Sequence, residues 1–147
     1  MISKFEGVYA FLSNFWTCPI EFEGIVYPTN EHFFQAMKTL DPKERAAIAA
    51  APTPGMAKRM GRNVKLRTDW ESIKEDIMLQ GLRLKFANPQ MGIQLLLTQD
   101  QELVEGNWWH DNTWGNCSCE HCHVIHGRNL LGKLLMKVRD ELREELG

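Results

Sequence analysis

The segment 69–87, DWESIKEDIMLQGLRLKFA, limits the fold more than any other stretch. Trp70, Ile73, Ile77 and Leu84 recur at helical spacing, with Met78 and Leu82 beside them, so one apolar face of an α-helix is predicted. Thr68 and Glu71 stand at the separation of a capping box. Asn88-Pro89 closes the run, because a residue before proline is pushed out of helical geometry. A second helix is expected over 129–146, NLLGKLLMKVRDELREEL, with Leu131, Leu134, Leu135, Val138 and Leu142 as its core stripe.

Shorter elements fill the rest. CPIEFEGIVYP (18–28) alternates about Glu23-Gly24 and reads as a β-hairpin. A helix follows, capped by Thr29 or Asn30. DPKERAAIAAA (41–51) places Asp41 before Pro42, a good helix start. PGMAKRMG (54–61) and QMGIQLLLT (90–98) read as helical, and QELVEG (101–106) as a short strand. No repeat or linker divides the 147 residues. The expected fold is an α+β, predominantly helical single domain over 1–147, with a small β-sheet or hairpin. Hydrophobic residues make up 44% of the chain, enough for a core, and the net charge of -2 gives no general pull toward nucleic acid or membranes. No apolar run approaches the roughly 20 residues of a membrane helix. The N-terminal MISKFEGVYAFLSNFW has no signal-peptide core, so the reading is a cytoplasmic protein with no membrane partner.

Several polar stretches stand out. In YPTNEHFFQAMKT (27–39), Phe33, Phe34, Ala36 and Met37 share one helical face with Leu40. Glu31, Gln35 and Lys38 form a stripe on the other. Read alone, that stripe is a solvated surface or a pocket wall. LVEGNWWHDNTWG (103–115) holds three tryptophans with Glu105, His110 and Asp111. Tryptophans in such a loop either plug a core or stack on a flat ligand. HGRNLLG (126–132) sets Gly127, Arg128 and Asn129 at a helix N-terminus, where free amides favour an anion such as phosphate. The basic set Lys58, Arg59, Arg62, Lys65 and Arg67 reads as a solvated face or a phosphate contact.

Three of the four cysteines crowd into 117–122, and Cys18 stands apart. A secreted disulfide framework would spread them. Reduced thiols in a hydrophilic loop are one reading. The other is a structural zinc held by Cys117, Cys119, Cys122 and His123 or His126.

Taken in order, FLSNFW, YPTNEHFFQAMK, GRNVKLRTDWE, LVEGNWWHDNTWG and GRNLLGKLLMKVRDEL resemble the NADAR, or YbiA-like, family from about Phe11 to Leu142. The resemblance implies an N-glycosidase that cleaves a bond between ribose C1′ and nitrogen. The substrate would be a phosphorylated ribosylamino-pyrimidine intermediate of riboflavin synthesis, or ADP-ribosylated guanine, which brings nucleic acid in as a partner. It carries over to Glu31, Gln35 and Lys38, to Glu105, Asp111, Trp114 and Gly115, and to Gly127, Asn129 and Gly132. The cysteine loop departs from the short glycine-rich connection of many relatives. In this reading Lys38 is the nucleophile, and Glu31 or Asp111 moves protons. Trp114, with Trp108 or Trp109, stacks on the base or ribose, and Gly127 to Asn129 hold phosphate. No cofactor is required for catalysis. A non-catalytic module that binds ADP-ribose or NAD is the competing function.

Overall fold

The structure is a computed structural model describing residues 1–147. It is mainly helical with very little sheet, the α+β class expected. The chain packs as two compact units, Asn14–Lys85 and Met1–Ser13 with Phe86–Gly147.

In the first unit, β1 (Thr17–Phe22) and β2 (Ile25–Thr29) form the predicted antiparallel hairpin. Glu23 and Gly24 turn it with φ of 50° and 81°, the two positive values that a tight two-residue connection requires. Thr29 ends β2 and caps α1 (Asn30–Ala36) by accepting from the His32 amide, a contact of about 1 kcal/mol. Asp41 and Thr53 cap α2 (Pro42–Ala49) and α3 (Pro54–Gly61) in the same way. Phe33 packs edge-on to Phe22 and Tyr27, at 5.4 and 5.7 Å between ring centroids.

Helix α4 (Trp70–Phe86) has the predicted extent, but two expectations fail. Its start is organised by Asp69, which pairs with Arg67 at 2.7 Å, and Glu71 pairs with Lys74 rather than closing a box with Thr68. The core face is also rotated: Trp70, Met78, Leu79, Leu82, Lys85 and Phe86 are buried, whereas Leu84 is exposed. A fully buried lysine on that face is what the apolar count could not anticipate.

The second unit opens with a 3-10 turn over Gly7–Leu12. Asn88, expected only to end α4, also caps α5 (Pro89–Leu96) by accepting from the Met91 amide. The strand expected over 101–106 shrinks to a bridge between Ile2 and Leu103 and to β3 (Gly106–Asn107), which pairs in parallel with β4 (Asn116–Cys117). Helix α6 (Leu130–Leu146) follows Asn129, which sits in the left-handed region at φ 50°. Leu131, Leu135 and Val138 are buried as expected, while Leu134 and Leu142 are half-buried. Arg139 is buried as well, its Nη1 donating to Thr98 Oγ1 and to the Gln101 carbonyl, both at 2.9 Å.

Candidate functional site

The polar stripe of α1 is not a solvated surface. Every residue of the helix is buried, Glu31 at 7% and Gln35 at 4% exposure. A helix buried on all sides must satisfy its polar groups internally. Asn30 Nδ2 donates to Asn14 Oδ1 at 2.8 Å, and the Glu31 amide donates to the Asn14 carbonyl. Gln35 Nε2 donates to Glu31 Oε1 at 2.8 Å and so fixes the carboxylate. His32 Nε2 lies 3.0 Å from the Ala51 carbonyl, an acceptor only, so Nε2 carries the proton. Nδ1 then accepts from the Thr29 hydroxyl at 2.7 Å.

Gly61 closes on this helix. A β-carbon there would overlap Gln35 Oε1 and stand 2.9 Å from Gln35 Cδ. That close approach walls off Gln35 Oε1, which has no hydrogen-bond partner.

Lys38 lies beyond the helix, not on it. Met37 is the C-cap, and the Lys38 amide donates to the Gln35 carbonyl at 3.2 Å, an i to i+3 turn. Leu40, expected on the apolar face, is 63% exposed because the helix has already ended. The Lys38 side chain is half-buried, with Nζ 6.0 Å from the Trp70 ring centroid. Burial pushes its pKa below the ordinary lysine value; Glu31 opposes this, and Arg62, Lys58 and Lys74 reinforce it. Part of the basic set expected to be a solvated face or a phosphate contact, Lys58 and Arg62, therefore acts on Lys38. The arrangement combines a buried, oriented carboxylate with an amine biased toward its neutral, nucleophilic form.

In the second unit, Glu105, Asp111, Trp114, Gly115, Gly127 and Asn129 converge on one folded loop. Asn129 binds it at one edge, its Oδ1 accepting from the Glu105 amide and its Nδ2 donating to the Leu103 carbonyl. Asn107, which no sequence signal picked out, is buried at the centre. Its Nδ2 donates to Glu105 Oε2 at 3.0 Å and to the Asp111 carbonyl at 2.8 Å, and its Oδ1 accepts from the Asp111 amide. Asp111 Oδ1 accepts from the Thr113 and Trp114 amides. One carboxylate oxygen of Asp111 is thus committed to the turn. Gly115 is buried against Glu105: a β-carbon would overlap Oε2 and the backbone carbonyl of Glu105. Trp114 is half-buried, whereas Trp108 and Trp109 stand 72% and 47% exposed, edge to face with each other at 5.8 Å.

The phosphate site expected at Gly127 to Asn129 needs correction. Its amides are not free. Those of Arg128, Asn129, Leu130 and Leu131 donate to the carbonyls of Asn112, Gly115, Thr113 and Trp114, and Gly127 donates to Asn116 Oδ1. The start of α6 is a clamp for the loop, and its donors are spent there.

The cysteine loop also differs from expectation in one ligand. His123 is exposed, with Nδ1 2.5 Å from the Glu120 carbonyl. It is His110 that faces Cys117, Cys119 and Cys122. His126 is exposed and outside that cluster.

Comparison with known proteins agrees with this architecture. The NADAR domain family profile matches residues 3–143. The chain is 41% identical over 140 residues to N-glycosidase YbiA of Shigella sonnei, covering 93% of this chain and 84% of that protein. It is 37% identical over 139 residues to a riboflavin biosynthesis protein of Vibrio vulnificus, covering 92% of this chain but 36% of that protein. The NMR structure of Escherichia coli YbiA superposes with a TM-score of 0.81 at 39% identity, over 99% of this chain and 89% of that one. The profile match over nearly the whole chain and the 41% identity define the class: the chain belongs to the NADAR family.

Proposed function

We propose that this N-glycosidase hydrolyses the C1′–N bond of a phosphorylated ribosylamino-pyrimidine, with Lys38 as nucleophile. The riboflavin biosynthesis name of one relative supports the pyrimidine. The observation that carries the mechanism is the half-buried Lys38 amine, its pKa depressed by burial and by neighbouring cations, with Glu31 held by Gln35 as its acidic neighbour.

The neutral Nζ attacks C1′ and forms a C–N bond. The bond to the base breaks, its electron pair leaves on the base nitrogen, and a proton released by Nζ passes through the Glu31 carboxylate to neutralise it. The ribose C1′–O4′ bond then breaks, the second Nζ proton passes to O4′, and an imine is left between Nζ and C1′. Water adds to that imine, and Nζ departs as the free amine. Positive charge on the sugar is met by the Glu31 carboxylate. Lys58 and Arg62, beside Lys38, are the cations available for the substrate phosphate, in place of the occupied amides of α6.

Lys38→Arg tests the reading, since a guanidinium stays protonated and cannot attack. Turnover should fall by several orders of magnitude while substrate binding survives. Borohydride added during turnover should fix a sugar on the wild-type chain, seen by mass spectrometry, and none on the variant. Base release by Lys38→Arg at near wild-type rate would overturn the covalent step. ADP-ribosylated guanine DNA assayed beside the pyrimidine ribotide distinguishes the substrates: release of guanine alone would replace the pyrimidine reading.

A further inference from the structure

We propose that His110, Cys117, Cys119 and Cys122 form a closed tetrahedral zinc site that pins the two ends of the loop carrying Asp111 and Trp114. The four donor atoms all lie within 4.8 Å of one another. His110 Nδ1 stands 3.2 Å from Cys119 Sγ, 3.6 Å from Cys122 Sγ and 4.0 Å from Cys117 Sγ. A zinc with bonds of about 2.3 Å to sulfur and 2.0–2.1 Å to nitrogen sets tetrahedral N···S edges near ~3.6 Å. The observed distances bracket that edge, so an ion fits between the donors with side-chain adjustment alone.

The backbone is shaped for the same end. His110 adopts φ 72°, a left-handed conformation that costs a non-glycine residue energy, and it turns the imidazole toward the sulfurs. The amides of His110 and Cys119 lie 3.2 and 3.5 Å from Cys117 Sγ, so the backbone on both sides of the loop holds that sulfur in place. A disulfide would use two of the three sulfurs and leave His110 without a role. One soft cation uses all four groups. Three sulfurs and one nitrogen leave no open position, so the site is structural, not catalytic. It stands whatever the reaction at Lys38 proves to be.

The ligands lie on both sides of Asp111–Trp114. Metal therefore fixes the turn made by Asp111 Oδ1 and, through the carbonyls of Asn112 to Gly115, the start of α6. The test uses the full chain expressed with zinc. Expected are about one zinc per chain by elemental analysis, the intense visible absorption of a tetrahedral thiolate site after cobalt replacement, and three thiols that become reactive together when a chelator is added. His110→Ala should weaken cobalt binding by roughly 100-fold or more, whereas His123→Ala should leave it unchanged. If His110→Ala fails to fold, the cobalt spectrum and thiol protection of the wild-type chain decide. Wild-type protein that retains no metal and gives no cobalt spectrum overturns the site. Loss of metal in His123→Ala but not in His110→Ala overturns the ligand assignment.

Discussion

Gly115→Ala is a sharp test of the folded loop. The added carbon overlaps Glu105 Oε2 and the Glu105 carbonyl and stands 2.7 Å from Asn107 Nδ2. Two of those three neighbours cannot withdraw cheaply. The Glu105 carbonyl accepts the Asn116 amide at 2.9 Å, and Asn107 is fixed by Asp111. The Glu105 side chain must swing away and give up its bond to Asn107. Overpacking of this kind costs about 1–3 kcal/mol, and a lost hydrogen bond to a charged group costs about 1.5–3 kcal/mol. The sum, about 2.5–6 kcal/mol, should lower the melting temperature by roughly 5–24 °C at ~2–4 °C per kcal/mol for a chain of this size. Gly55→Ala is the control, since the nearest atom to its β-carbon is 3.9 Å away. Thermal unfolding by circular dichroism, with turnover in parallel, reads both variants. A Gly115→Ala protein that melts with the Gly55→Ala control and turns over normally would refute the contact as drawn.

Two further outcomes follow from single groups. Asp111→Asn keeps an acceptor oxygen for the Thr113 and Trp114 amides, so its melting temperature should match wild type, whereas Asp111→Ala should lose about 1–2 kcal/mol; a loss of turnover in the asparagine variant at unchanged stability would mark a proton role for the second oxygen, and full turnover would remove it. Burial holds the Lys85 pKa at about 7 against Cys18, well below 10.5. Between those values the unfolded chain carries a proton that the folded chain lacks, so stability should rise with pH from about 7, by up to ~1.4 kcal/mol per unit. Urea midpoints of wild type and Lys85→Met compared across that range should diverge, and parallel curves would show that Lys85 does not titrate there.

The helices and the hairpin were legible because their signals are local. Asp41 before Pro42, Asn88 before Pro89 and the Glu23-Gly24 turn each act within a few residues. The burial of α1 was not legible, because Glu31 and Asn30 look like surface residues until Asn14, sixteen positions away from Asn30, is seen to satisfy them. Lys85 misled the face of α4 for a related reason: residue type stood in for environment. Helical spacing groups Glu31 with Gln35, which do pair, but it places Lys38 on the same stripe although the helix has ended before it. His110 carries no ligand signal in the sequence, because it stands seven residues before the first cysteine of the cluster and only the folded loop brings it back. Asn107 carries no signal beyond its residue type, since its role lies in two hydrogen bonds to Asp111 and one to Glu105.

Because backbone carbonyls of Asn112 to Gly115, not a side chain, receive the amides of Arg128 to Leu131, the start of α6 cannot be protected unless the loop is closed. Those amide protons are a built-in clock for loop opening. Their exchange with deuterium should run at one common rate, slower than the exposed residues 123–126 and faster than the buried middle of α6. Anything that loosens the loop should speed the whole set together, at positions more than ten residues along the chain from the change.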